Sequence, residues 1–301
     1  MIAGTFLNIA HRGARAFAPE NTLPAIRMAR RLGSNAIEID VQMSRDGELI
    51  VIHDDELRRC TDVASKFPTR AHESVSQFTW ADLSVLDAGS WYAREAANPP
   101  EARQRFLQDL SSEEMRLITR ADRDEYASGS VRIPRLRDAL ALARDLQLFV
   151  VIELKTIPRR YPGIAETTIA LINTLHMKPQ VLISSFDHGQ LAEIRSQDAT
   201  IATGVLTDER LYRPREYVLA LQAQAFHPAS SGAQNVIGRD PSIDVDEDLI
   251  RDFTGAGLFV NVWTENTPER MHALVNAGVT GIFTDYPNRL AKVLTKAEPI
   301  S

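Results

Sequence analysis

Short apolar runs alternate with longer stretches in which apolar residues recur every three or four positions, and this rhythm returns repeatedly between residues 7 and 297. The short runs predict strands and the longer ones amphipathic helices. LNIA (7–10) predicts a strand, and TLPAIRMARRLG (22–33) a helix with Thr22 as its cap and Gly33 as its stop signal. AIEIDVQM (36–43) and ELIVIHD (48–54) predict two strands joined by the turn RDG (45–47), which together read as a hairpin. Further on, helices over 135–146, 163–175, 188–197, 213–224, 244–257, 267–278 and 287–297 alternate with strands over 149–155, 180–186, 200–206, 225–227, 258–264 and 279–285.

With the hairpin taken as one station, eight strand stations are each eventually followed by a helix, a pattern that implies a parallel sheet. Eight such units in a chain of 301 residues predict an α/β fold, a closed (β/α)8 TIM barrel spanning 1–301 as a single domain. A doubly wound open sheet is the plainer rival, but no GxGxxG follows any strand. Residues 55–132 break the alternation and read as an insertion between the second strand and its helix, at the end of the barrel where loops carry function.

Composition narrows the partners. The net charge of −6 gives no basic surplus for gripping nucleic acid, although a local site can still oppose the global sign and take a small anion. Cys60 is the only cysteine, which excludes intramolecular disulfides and a thiolate metal cluster within one chain. No secretory leader pattern and no apolar run long enough to span a bilayer is seen, so a cytoplasmic protein without stable membrane insertion is expected.

The chemistry emerges from strand parity. In 36–43 one face carries Ile37, Ile39 and Val41, while the other carries Ala36, Glu38, Asp40 and Gln42. In 149–155 the same split sets Val151, Glu153 and Lys155 against Val150, Ile152 and Leu154. A barrel interior favours bulky apolar side chains. Inward carboxylates repel one another and suffer desolvation unless something neutralises them. Glu38, Asp40 and Glu153, all late in their strands, therefore suggest a hard-cation site suited to Mg2+, Mn2+ or Ca2+. An internal ion-pair network with Arg12 and Lys155 is the alternative.

His11 and His53 stand at strand ends beside these acids and are candidates for general acid–base work. Arg12 and Lys155 add positive charge suited to an anionic substrate such as a phosphate ester. Trp263 ends the strand over 258–264 and offers an aromatic wall. Lys155 also leaves open a Schiff-base lyase, and the whole set leaves open a phosphate-ester binder without turnover.

HRG (11–13), PEN (19–21), EIDVQMSRDGELIVIHD (38–54), GSW (89–91), ELK (153–155), SSF (184–186) and NVWT with GIFTDYP near the end occur together in this order. This set resembles the glycerophosphodiester phosphodiesterases over nearly the whole chain. The resemblance implies a (β/α)8 barrel that hydrolyses a small-molecule glycerophosphodiester to sn-glycerol 3-phosphate and an alcohol. It implies one divalent cation on Glu38, Asp40 and Glu153, Mg2+ or Ca2+ with Mn2+ as a further option. It implies His53 as base and His11 as acid, Arg12 and Lys155 on the phosphate, Glu20 and Asn21 shaping the loop after the first strand, and Trp263 lining the pocket. A lysophospholipase D would share this chemistry but need room for an acyl chain. The stretch between GSWY and 132–140 is longer than the compact family pattern, which makes the insertion a candidate determinant of the alcohol accepted.

Overall fold

The strand–helix alternation closes into a ring. In the computed structural model, which describes residues 5–157, 161–230 and 247–296, the chain begins β1 (Leu7–Ala10), α1 (Leu23–Arg31), β2 (Ala36–Met43) and β3 (Leu49–Val51). Short helices follow: α2 (Val63–Lys66), α3 (Trp80–Leu83), α4 (Ser90–Ala97), α5 (Arg105–Gln108), α6 (Ser112–Met115) and α7 (Arg120–Ala127). The regular pattern resumes with α8 (Leu136–Asp145), β4 (Phe149–Leu154), α9 (Ile164–Thr174), β5 (Val181–Ser185), α10 (His188–Gln197) and β6 (Ala202–Thr207). It ends with α11 (Pro214–Ala220), β7 (Ala225–Pro228), α12 (Glu247–Gly255), β8 (Phe259–Val262), α13 (Pro268–Asn276), β9 (Gly281–Thr284) and α14 (Pro287–Lys296). The predicted starts at 244 and end at 297 of two helices lie outside the described residues.

Neighbouring strands run β1-β9-β8-β7-β6-β5-β4-β2, all parallel, and β1 pairs with β2 to complete a barrel of eight. The hairpin partner β3 runs antiparallel to β2, outside the ring. This is the expected (β/α)8 fold, with the insertion between the second station and its helix.

Strand parity divides the core as the sequence suggests. Ile37, Ile39 and Val41 pack outward into the large cluster shared with the helices, which also takes in Val150 and Ile152. Leu7, Ile9, Ala36, Phe149, Val151, Leu182 and Phe283 fill the barrel interior. Thr22 caps α1, its side chain accepting from the Ala25 amide, and Gly33 follows the helix at φ +93°.

The first half of the insertion has its own apolar core, with Leu57, Val63, Val75, Phe78, Leu83 and Leu86 buried against Ile50 and Ile52 of the β3 region. The second half lies along α1 and α14. Tyr92 donates its hydroxyl to the Ala16 carbonyl at 2.7 Å, Tyr286 donates to the Phe106 carbonyl at 2.7 Å, and Arg289 pairs with Glu114 at 2.7 Å.

The strand predicted over 48–54 stops at Val51. The cause is Gln42, whose Nε2 points at the carbonyls of Ile52, His53 and Asp54 at 2.9–3.1 Å and curls the chain away from β2. The strand predicted to end at 264 stops at Val262, so Trp263 sits just beyond it.

Candidate active site

All the predicted site residues gather at the C-terminal end of the barrel strands. One carboxylate oxygen from each of Glu38, Asp40 and Glu153 lies within 4.8 Å of the others, and no other such group of three occurs among the described residues. The β2–β4 register sets Asp40 directly opposite Glu153, which is why acids far apart in sequence meet.

The electrostatics of this trio are unbalanced without a cation. Burial, then the charges of Asp40 and Glu153, drive the Glu38 carboxyl well above the usual range. Burial also raises Glu153, with Asp40 adding to the effect and Lys155 opposing it. Asp40 goes the other way: burial would raise it, but His53, Arg12 and Lys155 hold it low. Glu38 Oε2 accepts the Arg12 amide at 2.8 Å, whereas its Oε1 is buried with no hydrogen-bond partner among the described residues. Three hard oxygen donors with one orphaned lone-pair set fit a divalent cation of the Mg2+ or Ca2+ type.

Arg12 lies over this cluster, bonded to Glu20 at 2.9 Å and 3.5 Å from Asp40 Oδ2. The loop holding it is tight. Arg12 and Asn21 both take left-handed backbone (φ 55° and 57°), and a Cβ at Gly13 (φ +73°) would lie 2.7 Å from the Ala25 side chain. Lys155 donates to Glu153 Oε1 at 2.9 Å and approaches His53 Nε2 at 3.4 Å. Burial would lower its ammonium, but Glu153 and Asp40 outweigh that and raise it. A Schiff-base lysine needs the opposite shift, so the lyase reading loses its footing.

Each histidine rests on a carboxylate. His11 Nδ1 lies 2.8 Å from Asp285 Oδ1, and His53 Nδ1 lies 2.6 Å from Asp54 Oδ1. Both aspartates stay ionised. Burial would raise each, but Arg15 and His11 hold Asp285 low, while His53 and Arg59 hold Asp54 low. An ionised carboxylate only accepts, so each imidazole donates from Nδ1 and keeps Nε2 for exchange. Burial lowers His11 to about 4, with Arg12 and Arg15 adding to the fall and Asp285 resisting it. Trp263 donates Nε1–H to the His227 carbonyl at 2.8 Å and meets Phe186 edge to face at 5.4 Å, forming an aromatic pair.

Asp54, Asp285, Arg15, Arg59 and Gln42 escape a sequence reading. Asp54 follows His53 directly, and Asp285 follows the last strand as His11 follows the first, so position alone could have flagged both. Arg59 lies in the aperiodic insertion, where no pattern singles it out.

Parallel eight-stranded closure with acids, histidines and cations at one mouth defines a (β/α)8 barrel whose strand-end site is suited to acid–base work on an anion. Residues 11–289 match the model of the glycerophosphoryl diester phosphodiesterase family. A glycerophosphodiester phosphodiesterase of Bacillus altitudinis is 30% identical over 94% of this chain and 96% of its own length. One from Caldanaerobacter subterraneus subsp. tengcongensis is 30% identical over 96% and 98%. The structure of an Oleispira antarctica phosphodiesterase, in complex with its product sn-glycerol-3-phosphate, superimposes with a TM-score of 0.70 at 26% identity over 96% of each chain. The chain belongs to the glycerophosphoryl diester phosphodiesterase family and is an enzyme of that kind.

Proposed function

We propose that this enzyme hydrolyses small glycerophosphodiesters to sn-glycerol 3-phosphate and an alcohol by histidine acid–base catalysis, with a divalent cation held by Glu38, Asp40 and Glu153. The observation that carries the reading is the buried acid trio, with its orphaned Glu38 oxygen, beside two histidines that are each backed by an ionised carboxylate.

A bound cation supplies charge that offsets the phosphoryl oxygens and stabilises the transition state. Arg12 adds a guanidinium to the same face, anchored by Glu20, and Lys155 an ammonium anchored by Glu153. His53 Nε2 takes the proton of the attacking oxygen, and the Asp54 carboxylate steadies the imidazolium that forms. His11 gives its Nε2 proton to the departing alkoxide. In the free enzyme burial keeps His11 neutral, and Arg12 Nε, 3.3 Å from His11 Nε2, opposes its charge. An anionic diester beside Nε2 reverses that bias, so His11 gains its proton together with the substrate. Trp263 and Phe186 supply an apolar surface for the substrate's organic part.

A coupled glycerol 3-phosphate assay over glycerophosphocholine, glycerophosphoethanolamine, glycerophosphoinositol and a lysophospholipid tests this. Release of glycerol 3-phosphate that stops in chelator and returns with Mg2+ or Ca2+ is expected. Activity undiminished in chelator would remove the cation from the mechanism.

A further inference from the structure

Arg59 stands at the start of the insertion and turns back into the site. Its Nε and Nη2 donate to Asp54 Oδ2 and Oδ1 at 2.6 and 3.0 Å. Its Nη1 and Nη2 donate to Glu20 Oε2 and Oε1 at 3.0 and 2.6 Å. A single planar guanidinium thus grips two carboxylates side-on, which a lysine ammonium cannot do.

Each carboxylate is already committed on its far side. Glu20 Oε1 accepts from Arg12 Nη1 at 2.9 Å, and Asp54 Oδ1 from His53 Nδ1 at 2.6 Å. A continuous chain therefore runs Arg12–Glu20–Arg59–Asp54–His53. It joins the loop after β1 to the loop after β3, two segments that the barrel ladder itself does not link beyond the strand ends. Asp54 is 31% exposed, and among the described residues only His53 and Arg59 bond its carboxylate, so losing Arg59 lets it swing into solvent and release His53.

Resting on the function proposed above, we propose that Arg59 is a positioning residue: it fixes the His53 imidazole and the Arg12 guanidinium relative to each other, and thereby sets turnover. The insertion does not depend on it for docking. Tyr92, Tyr286 and Glu114 anchor that segment elsewhere, and Arg31 pairs with Asp122 at 2.6 Å.

The experiment compares Arg59→Ala, Arg59→Lys and Arg58→Ala, the last removing an exposed neighbour whose guanidinium bonds the His72 ring. Misplacement of reacting groups by a distant change predicts that Arg59→Ala loses about 10- to 100-fold in kcat with KM within about threefold, and that Arg58→Ala does neither. Arg59→Lys restores little. Added guanidinium partly restores Arg59→Ala, because the side chain is about one-third exposed, at 32%, while ammonium does not. Nitrogen-15 NMR of the metal-free protein should show His53 held with its proton on Nδ1 in the wild type and as a tautomer mixture in Arg59→Ala.

Unchanged kcat, or a raised KM with kcat intact, overturns the proposal, the latter making Arg59 a substrate contact. Full activity in Arg59→Lys does the same. If the wild type hydrolyses no glycerophosphodiester, the proposed function fails by itself. The NMR arm then still decides Arg59, and an unaltered His53 tautomer in Arg59→Ala rejects its role.

Discussion

Asn21 grips Asp40 twice: its Nδ2 donates to Asp40 Oδ2 at 2.8 Å, and its Oδ1 accepts the Asp40 amide at 3.2 Å. The loop after β1 thereby aims a carboxylate on β2. Partners that orient metal-binding side chains typically influence affinity by about 10- to 100-fold. Asn21→Ala is expected to weaken Mg2+ or Mn2+ binding by that factor, measured by isothermal titration calorimetry. Wild-type affinity in the variant would separate Asn21 from the cation site.

The acid trio should cost stability when no cation is present. Glu38→Gln removes one of three mutually repelling groups, so the chelated variant is expected to melt higher than the chelated wild type. For a chain of 301 residues about 1 kcal/mol corresponds to roughly 1–2 °C. The same variant should lose the rise in Tm that added Mg2+ or Ca2+ gives the wild type. Scanning fluorimetry with and without chelator checks both signs.

Removing either imidazole should cripple turnover while sparing the fold. His11→Ala and His53→Ala are each expected to lose at least about 10²-fold in kcat in the coupled assay, with unchanged circular dichroism. Mild losses in both would refute the acid–base pair.

His227 yields a pH prediction away from the acids. It is fully buried in the barrel, its Nε2 accepts from Asn261 Nδ2 at 3.1 Å, and its Nδ1 has no partner among the described residues. Its ring lies so close over Gly204 that a Cβ there would come within 2.8 Å. Burial lowers it from 6.5 to about 3. Between those values the unfolded chain binds a proton that the native ring refuses, so stability falls as pH drops and is constant above 6.5 for this group. His227→Gln is expected to flatten the pH dependence of urea unfolding between pH 6.5 and the acid limit; an unchanged slope would show that the ring titrates freely.

Much of this was legible because strand parity and barrel geometry are local rules with global consequences. Glu38, Asp40 and Glu153 are conspicuous in sequence because a charged residue on an inward face has no ordinary place in a barrel interior. Their meeting then follows from parallel pairing of β2 with β4. Arg59 is the contrary case. Its importance depends on a loop path without periodicity, and only the folded chain brings it against Glu20. Asp285 lies between the two cases: its place just past the last strand marks it, but its pairing with His11 arises from β1 lying beside β9 across the closure of the ring.

The side strand β3 has an evolutionary corollary. Eight strands complete the cylinder without it, so β3 lies free of the closure and serves only to carry the chain from the ring to His53, Asp54 and the insertion. Lineages can lengthen or shorten the segment beyond Arg59 while the cylinder keeps its circumference.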